Sequence, residues 1–427
     1  MKPGDGVLGT HVTWEDIERP LREHFKTKAT FGPNKTVCHL GKGNGFLSVI
    51  AKIDCDWKGK DENEDLPMSV AVKIASGLSA KSFEQTGEMK IPPEMMERMW
   101  RDFERFLKTA HNIEADVYIF LSSFTERLAV PKCYYAIKLE NSTDYIGQIA
   151  LEYLEGTKCS HLAENVDIRT VKMVAQEMGK IQALAHRNGF ATNKAFEERD
   201  FAKIYWNTFD IDKFTMMLKM AKSKHFPGSE NILELVDRIT DLLPEYYKSR
   251  LVSTLHKQLN LTPVLVHGDL WSANIMMNDD NSLRAIVDWQ MAHIGCAAED
   301  IIRLSISMLS ATDRRQYTPE LLDIMHNSLL EHLHGEEPPY TLEQLQETYE
   351  ILFPHGAMMY CPAIVPMFLT KRTTQTESDE EFQMEAGVIL EKVKGVFEDI
   401  IRATEDPKKL ERERKYNLVW KDEETGH

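Results

Sequence analysis

The stretch VLVHGDLWSANIM, Val264–Met276, runs from a short apolar segment into His-Gly-Asp, crosses Leu-Trp-Ser-Ala to reach an Asn, and turns apolar again. A buried strand does not ordinarily end by presenting an Asp and an Asn five residues apart. A second apolar run, LRAIVDWQ (Leu283–Gln290), also ends in an acid, Asp288. The two runs read as short strands whose ends carry three oxygen-bearing side chains: Asp269, Asn274 and Asp288. Phosphoryl transfer uses such a set: one carboxylate accepts the proton of the attacking hydroxyl, while an amide and a second carboxylate hold Mg²⁺. Taken alone, His-Gly-Asp reads equally well as a turn whose Asp caps something local.

The reading gains weight from what precedes it. In TVCHLGKGNGFLSVIAKIDCDW (Thr36–Trp57), Gly41, Gly43 and Gly45 stand between two expected strands. Glycines let backbone approach a ligand closely and offer N–H groups to phosphate, although a hairpin needing positive φ explains them too. The P-loop pattern GxxxxGK[ST] is missing, and the turn leads into a strand, not the helix of a dinucleotide-binding turn. Downstream, MSVAVKIAS (Met68–Ser76) alternates, so Lys73 shares a strand face with Ala71 and Ala75. A lysine facing solvent from an edge strand is the plain reading. Small neighbours also leave room for a flat base beside an ammonium that reaches phosphates. Such a lysine needs an acid to fix it, and Glu114, on an expected helix in HNIEADVYIFL, is the candidate.

Composition bounds the rest. The chain has 427 residues, with 42% hydrophobic and 28% charged, as expected of a globular protein with a large core. A net charge of -16 argues against a general nucleic-acid surface. The six cysteines form no CxxC pair, which argues against zinc or a disulfide framework. No secretory signal or membrane span is expected, and the default setting is cytoplasmic. The chain is β-rich to about Gly156 and mostly helical after it. Expected units are a nucleotide-binding lobe (1–153), a helical lobe carrying the catalytic loop and substrate wall (154–405), and a loosely held charged tail (406–427). The expected fold class is α+β.

The order of glycine-rich turn, Val-Ala-Val-Lys, helix Glu, H-G-D-x-x-x-x-N and Val-Asp-Trp resembles the bilobal protein-kinase-like fold. His-Gly-Asp in place of His-Arg-Asp, with no Ala-Pro-Glu segment, is closer to the aminoglycoside phosphotransferase and choline kinase superfamily. Within it, VLVHGDLWSANIM, AIVDWQ, the Glu114-to-Tyr118 spacing, GTHVTWEDI and GKGNGFLSVIAKIDCDW resemble the ecdysteroid kinase-like, or CHK kinase-like, family and its nematode branch. The similarity runs from about residue 8 to 400. It implies an enzyme that uses ATP and Mg²⁺ to phosphorylate a small-molecule hydroxyl. It implies Asp269 as catalytic base, Asn274 and Asp288 as metal ligands, and Lys73 on the α- and β-phosphates with Glu114 as its partner. Gly41, Gly43 and Gly45 match the phosphate loop. The backbone of Glu152, Tyr153 and Leu154, in LEYLEG, matches the hinge that meets adenine. Asp288 is followed by Trp-Gln, not Phe-Gly, which argues against a protein-kinase activation switch. Gln182 replaces a His common in related families, on a helix read as core.

Other residues have plainer readings. Asp300 either matches an acid that follows the metal-binding strand or is a helix N-cap. His267 is read as tying the catalytic loop to backbone, and His186 and His293 as ordinary histidines. Trp206, Phe209, Met216 and Met217 either line an apolar pocket or belong to the core. The expected acceptor is a largely apolar, steroid-like alcohol. A choline- or ethanolamine-type kinase and a non-catalytic kinase-like binding protein are the alternatives, and the oligomeric state is left open.

Overall fold

The structure is a computed structural model that describes residues 3–41, 47–78, 93–140, 146–193, 196, 205–206, 210–374 and 378–419. Gly43, Gly45 and Phe209 therefore lie outside the described residues. The chain divides into two compact units, Met1–Gly156 and Thr157–His427.

In the first unit a helix, α1 (Trp14–Phe25), starts at a reciprocal cap. Thr13 Oγ1 accepts from the Asp16 N–H, and Asp16 Oδ2 accepts from the Thr13 N–H. This pairing satisfies two donors that an uncapped helix start leaves orphaned. The strands follow: β1 (Thr30–Phe31), β2 (Thr36–Leu40), β3 (Ser48–Asp54), β4 (Trp57–Lys58), β5 (Ser69–Ala75), then helix α2 (Pro93–Leu121), β6 (Cys133–Ile137) and β7 (Gln148–Glu152). Five of the strands form an antiparallel sheet in the order β2-β3-β5-β7-β6. Alternation assigns the two faces of β5. Val70, Val72 and Ile74 are fully buried in a core with Ile17 and Leu21 of α1, Ala51, Ile53 and Ala150. Each such side chain contributes about 1.5–3 kcal/mol by leaving water. On the other face Ala75 packs with Leu107 of α2 and Leu139. Lys73 points to this α2 side. The sheet order also corrects the edge-strand reading of Lys73, because β5 is paired on both sides.

The second unit is mainly helical: α3 (Ile168–Arg187), α4 (Ile211–Met220), α5 (Leu233–Tyr246) and α6 (Leu251–Gln258), then β8 (Val264–Val266), β9 (Ile275–Met277), β10 (Leu283–Ile286) and β11 (His293–Gly295), then α7 (Ala298–Met308), α8 (Ala311–His332), α9 (Leu342–Tyr360), α10 (Ile364–Thr374), α11 (Asp379–Glu405) and α12 (Pro407–Tyr416). The α+β class expected from the sequence, a β-rich unit followed by a helical one, is the one observed. The four short strands form two ribbons, β8 with β11 and β9 with β10. Helix α3 lies close against α8 because position 179 is glycine: a Cβ there would sit 2.1 Å from the Met325 carbonyl oxygen. Lys392 of α11 is almost fully buried, and its ammonium donates to the carbonyls of Leu162, Glu164 and Ser307.

Among the described residues one helical run, Leu342–Leu369, is long and apolar enough to cross a membrane, and 83% of its most apolar window is buried inside the protein, as in a core helix. Part of the charged tail is helix α12, not a loosely held segment. Asp406 caps it, Lys409 pairs with Glu245, Arg412 with Glu350 and Lys415 with Glu347. Charge complementarity to α5 and α9 orders a segment whose own sequence shows little apolar drive.

Candidate active site

In the first unit Lys73 Nζ lies 2.7 Å from Glu114 Oε2, with side-chain exposures of only 8% and 1%. Helix spacing places Glu114 and Tyr118 on one buried stripe of α2 with Leu107, Ala110 and Val117. Glu114 is therefore no solvated helix charge: the fold sinks it beneath the sheet and aims it at the lysine. Nearby His111 is also buried, and desolvation lowers its pKa to about 4 despite its bond to the Ile137 carbonyl. Gly41 follows β2 with φ +60°, the left-handed backbone that favours glycine. Glu152 closes β7 and pairs through its backbone with Lys132. Leu154 is buried, and Tyr153 receives Lys52 on its ring face at 4.9 Å.

In the second unit the Val264–Met276 stretch forms a strand, a tight loop and a returning strand. Gly268 turns the chain at φ +77°, and a Cβ there would lie 2.4 Å from the Met291 carbonyl oxygen. Only glycine meets both conditions, which accounts for the Gly between His267 and Asp269. The loop is pinned from behind by Asp300: its two carboxylate oxygens accept the backbone N–H groups of His267 (2.9 Å) and Gly268 (3.0 Å). Asp300 is thus not an N-cap. Ala297 occupies the cap of α7, and Asp300 reaches away from its own helix. Burial pushes its carboxyl up to about 7, against the pull of those two donors.

His267 ties the two strand ends together. Its Nδ1 accepts the Asp269 N–H at 3.2 Å, so Nε2 carries the proton and donates to the Val287 carbonyl at 3.0 Å, one residue before Asp288. Asn274 adds a second tie. Its Nδ2 donates to the Asp269 carbonyl (2.9 Å) and to Asp269 Oδ2 (3.3 Å), and its carbonyl accepts the Val287 N–H. That orientation leaves Asn274 Oδ1 as the atom available to a cation. Asp288 sits in left-handed backbone at φ +67°, a conformation uncommon outside glycine and best tolerated by Asn and Asp. Asp269, Asn274 and Asp288 are therefore brought together. Burial raises the pKa of Asp269, the neighbouring Asp288 carboxylate adds to the rise, and Arg303 and Asn274 oppose it.

Two participants escaped the sequence reading. Arg303, on α7, donates through Nη2 to Asp269 Oδ1 at 3.0 Å. Its guanidinium lies 4.3 Å from the Tyr360 ring centroid and 5.7 Å from that of Trp271. His293, read as ordinary, is fully buried against Glu299 at 3.1 Å. The Tyr360 hydroxyl lies 3.0 Å from Glu299 Oε1 and 3.2 Å from the Gly268 carbonyl oxygen, its one proton shared between the two acceptors. The sequence signal for Arg303 was its crowding with Glu299 and Asp300 in AAEDIIRL, within one helical turn and a half; His293 had none.

Trp206 belongs to the core, packed on Tyr205, Phe214 and Tyr247 with its Nε1–H on the Ser249 carbonyl. Met216 is exposed and Met217 half-buried. Gln182 is fully buried and accepts from the Tyr340 hydroxyl, as suits a core helix.

The family model described as "Uncharacterized oxidoreductase dhs-27" (DUF1679) matches residues 1–408. The chain belongs to this family. A Caenorhabditis elegans protein with the same description is 23% identical over 348 residues, 78% of this chain and 40% of that protein. The C. elegans "Uncharacterized kinase-like protein D1044.1" is 29% identical over 99 residues, 23% of this chain and 26% of that protein. The chain thus spans less than half the length of the curated relatives it matches, and the oxidoreductase description belongs to a much longer protein. Solved structures similar to this member of the DUF1679 family include a choline kinase from Cryptosporidium parvum, at 13% identity over 90% of this chain and 91% of the other, TM-score 0.44. A putative aminoglycoside phosphotransferase from Ralstonia eutropha is 12% identical over 91% and 98%, TM-score 0.43. At these TM-scores the chemistry rests on the side chains of the DUF1679 chain itself.

Proposed function

We propose that this DUF1679 protein is a phosphotransferase of the ecdysteroid kinase-like type, moving the γ-phosphoryl group of ATP to the hydroxyl of a small, largely apolar alcohol. The observation that carries the reading is the loop in which Asp269, Asn274 and Asp288 meet, held by Asp300 and His267. Asp269 accepts the hydroxyl proton as the oxygen attacks phosphorus and the bond to the ADP oxygen breaks. Arg303 and Asn274 orient its carboxylate. Asn274 Oδ1 and the Asp288 carboxylate are hard oxygen donors of the kind Mg²⁺ takes together with water and phosphate oxygens. Among the described residues no three His, Cys, Asp or Glu side chains group as a metal site, which fits an ion held partly by its nucleotide. Mg²⁺ supplies charge neutralisation at the transferring phosphate. Lys73, fixed by Glu114, is the residue for the α- and β-phosphates, with Gly41 in the phosphate turn and the backbone of Glu152, Tyr153 and Leu154 for adenine. Trp271 and Tyr360 present their rings to the Arg303 guanidinium beside the base, and the lipophilic, steroid-like acceptor rests on the family resemblance. All six cysteines are free thiols, which suits a reducing, cytoplasmic setting.

Thermal denaturation with and without MgATP tests nucleotide binding; saturation at 100 times Kd adds about 2.7 kcal/mol to stability. No stabilisation at millimolar MgATP favours the non-catalytic binding protein. Once an acceptor is found by mass spectrometry of a metabolite extract, Asp269→Asn should lower kcat by roughly 10²–10⁴ with nucleotide binding kept. Turnover at the wild-type rate removes Asp269 from the role of base.

A further inference from the structure

An alcohol carrying an ammonium group is recognised by aromatic faces and acids. Next to Asp269 both are present, yet both are already engaged by a cation of the protein's own. The Arg303 guanidinium takes Asp269 Oδ1 at 3.0 Å and lies over the Tyr360 ring at 4.3 Å and the Trp271 ring at 5.7 Å. Tyr360 cannot readily turn away, because its hydroxyl is bonded to Glu299 and to the Gly268 carbonyl. Arg303 Nε is buried with no hydrogen-bond partner, so the guanidinium is held in place by Asp269 and the two ring faces. We propose that Arg303 is the resident cation of the acceptor site: it occupies the place an ammonium alcohol would need, and it restricts this enzyme to uncharged or anionic alcohols. The inference rests on the kinase reading and narrows its substrate class, separating this chain from choline- and ethanolamine-type kinases on its own side chains.

The discriminating pair is choline and its uncharged isostere 3,3-dimethylbutan-1-ol, which share shape and hydroxyl and differ in charge. Binding of each to the full chain is measured by ligand-observed NMR, with phosphate gain followed by mass spectrometry when MgATP is added. A second cation set beside the guanidinium meets a carboxylate whose charge is already taken up by Arg303, so it gains little from Asp269 and is repelled by the arginine. Wild type should therefore prefer the neutral isostere, and Arg303→Gln should raise choline binding relative to the isostere by at least ~10-fold. Arg303→Lys, which keeps the charge, should keep the wild-type preference for the neutral isostere even where turnover falls. Choline bound by wild type as well as its isostere overturns the proposal, as does an Arg303→Gln variant that gains nothing for choline. If Arg303→Gln does not fold, the wild-type preference decides: the isostere favoured supports the proposal, and choline bound equally or phosphorylated sinks it. Because charge preference is read from binding without turnover, its failure is distinct from a failure of the kinase reading, which shows as the absence of MgATP stabilisation in the same preparation.

Discussion

Lys73 and Glu114 form an ion pair at 2.7 Å with both side chains withdrawn from water. Removing one partner of such a pair leaves an uncompensated buried charge, at a cost of about 3–5 kcal/mol. Lys73→Met should therefore lower stability by that order in urea denaturation and also abolish MgATP stabilisation. Glu114→Gln keeps a polar partner and should cost less stability while still weakening nucleotide binding. Unchanged MgATP affinity in both variants would detach the pair from the nucleotide.

Two glycines with nearly the same backbone separate local strain from steric demand. Gly59 (φ +73°) has open space where a Cβ would be, whereas at Gly268 (φ +77°) that Cβ meets the Met291 carbonyl oxygen. Gly59→Ala should cost about 1–2 kcal/mol, the left-handed penalty alone. Gly268→Ala should cost clearly more and displace the loop carrying Asp269. Equal losses in chemical denaturation would show that the loop yields to the added methyl.

Burial works against a charged His293, but Glu299 at 3.1 Å more than offsets it, and its pKa is raised from 6.5. Its Nδ1 faces the Met291 carbonyl and its Nε2 the Glu299 carboxylate, two acceptors that together suit the doubly protonated ring. A raised folded pKa means stability fully present below about pH 6.5 and lost as pH rises through the folded value. Asp300, pushed by burial from 3.8 to about 7, works in the same sense at lower pH. These two groups on their own make calorimetric Tm fall as pH rises through neutrality, while Lys392, whose pKa burial lowers to about 7, works in the opposite sense above it, so the His293 contribution is read as the difference between wild type and variant. His293→Gln should flatten the part above pH 6.5 and leave the part below it; an unchanged slope would show that His293 does not titrate with folding.

Lys392 satisfies three backbone carbonyls, those of Leu162, Glu164 and Ser307, at 2.6–3.0 Å. Lys392→Met retains much of the volume and none of the donors. Stability should drop by on the order of 3 kcal/mol, since buried acceptors left without partners cost about 1–3 kcal/mol each and partial rehydration recovers some of it. Amide exchange should quicken at the C-terminal end of α7 more than in the sheet of the first unit. Uniform exchange would place the effect on global unfolding.

The sequence by itself determined the elements and the order of the chemistry. Alternation in Ser69–Ala75 assigns Val70, Val72 and Ile74 to one face, and the HGD loop with Asn274 and the acid after the next strand is legible because its spacing is local. Short-range pattern is the physics of one strand, one turn or one helix, and it survives without partners. Three-dimensional packing alone decided the rest. That Glu114 is buried against Lys73 depends on α2 covering one face of β5. That Asp300 reaches the amides of His267 and Gly268 depends on where α7 starts relative to β8, 33 residues away in one of these bonds. Arg303 had only its crowding with Glu299 and Asp300 as a local signature and His293 had none, since an arginine on a helix and a histidine in a strand are ordinary until their partners arrive. A side chain's charge state and role follow from dielectric and neighbours, and both are properties of the packed molecule.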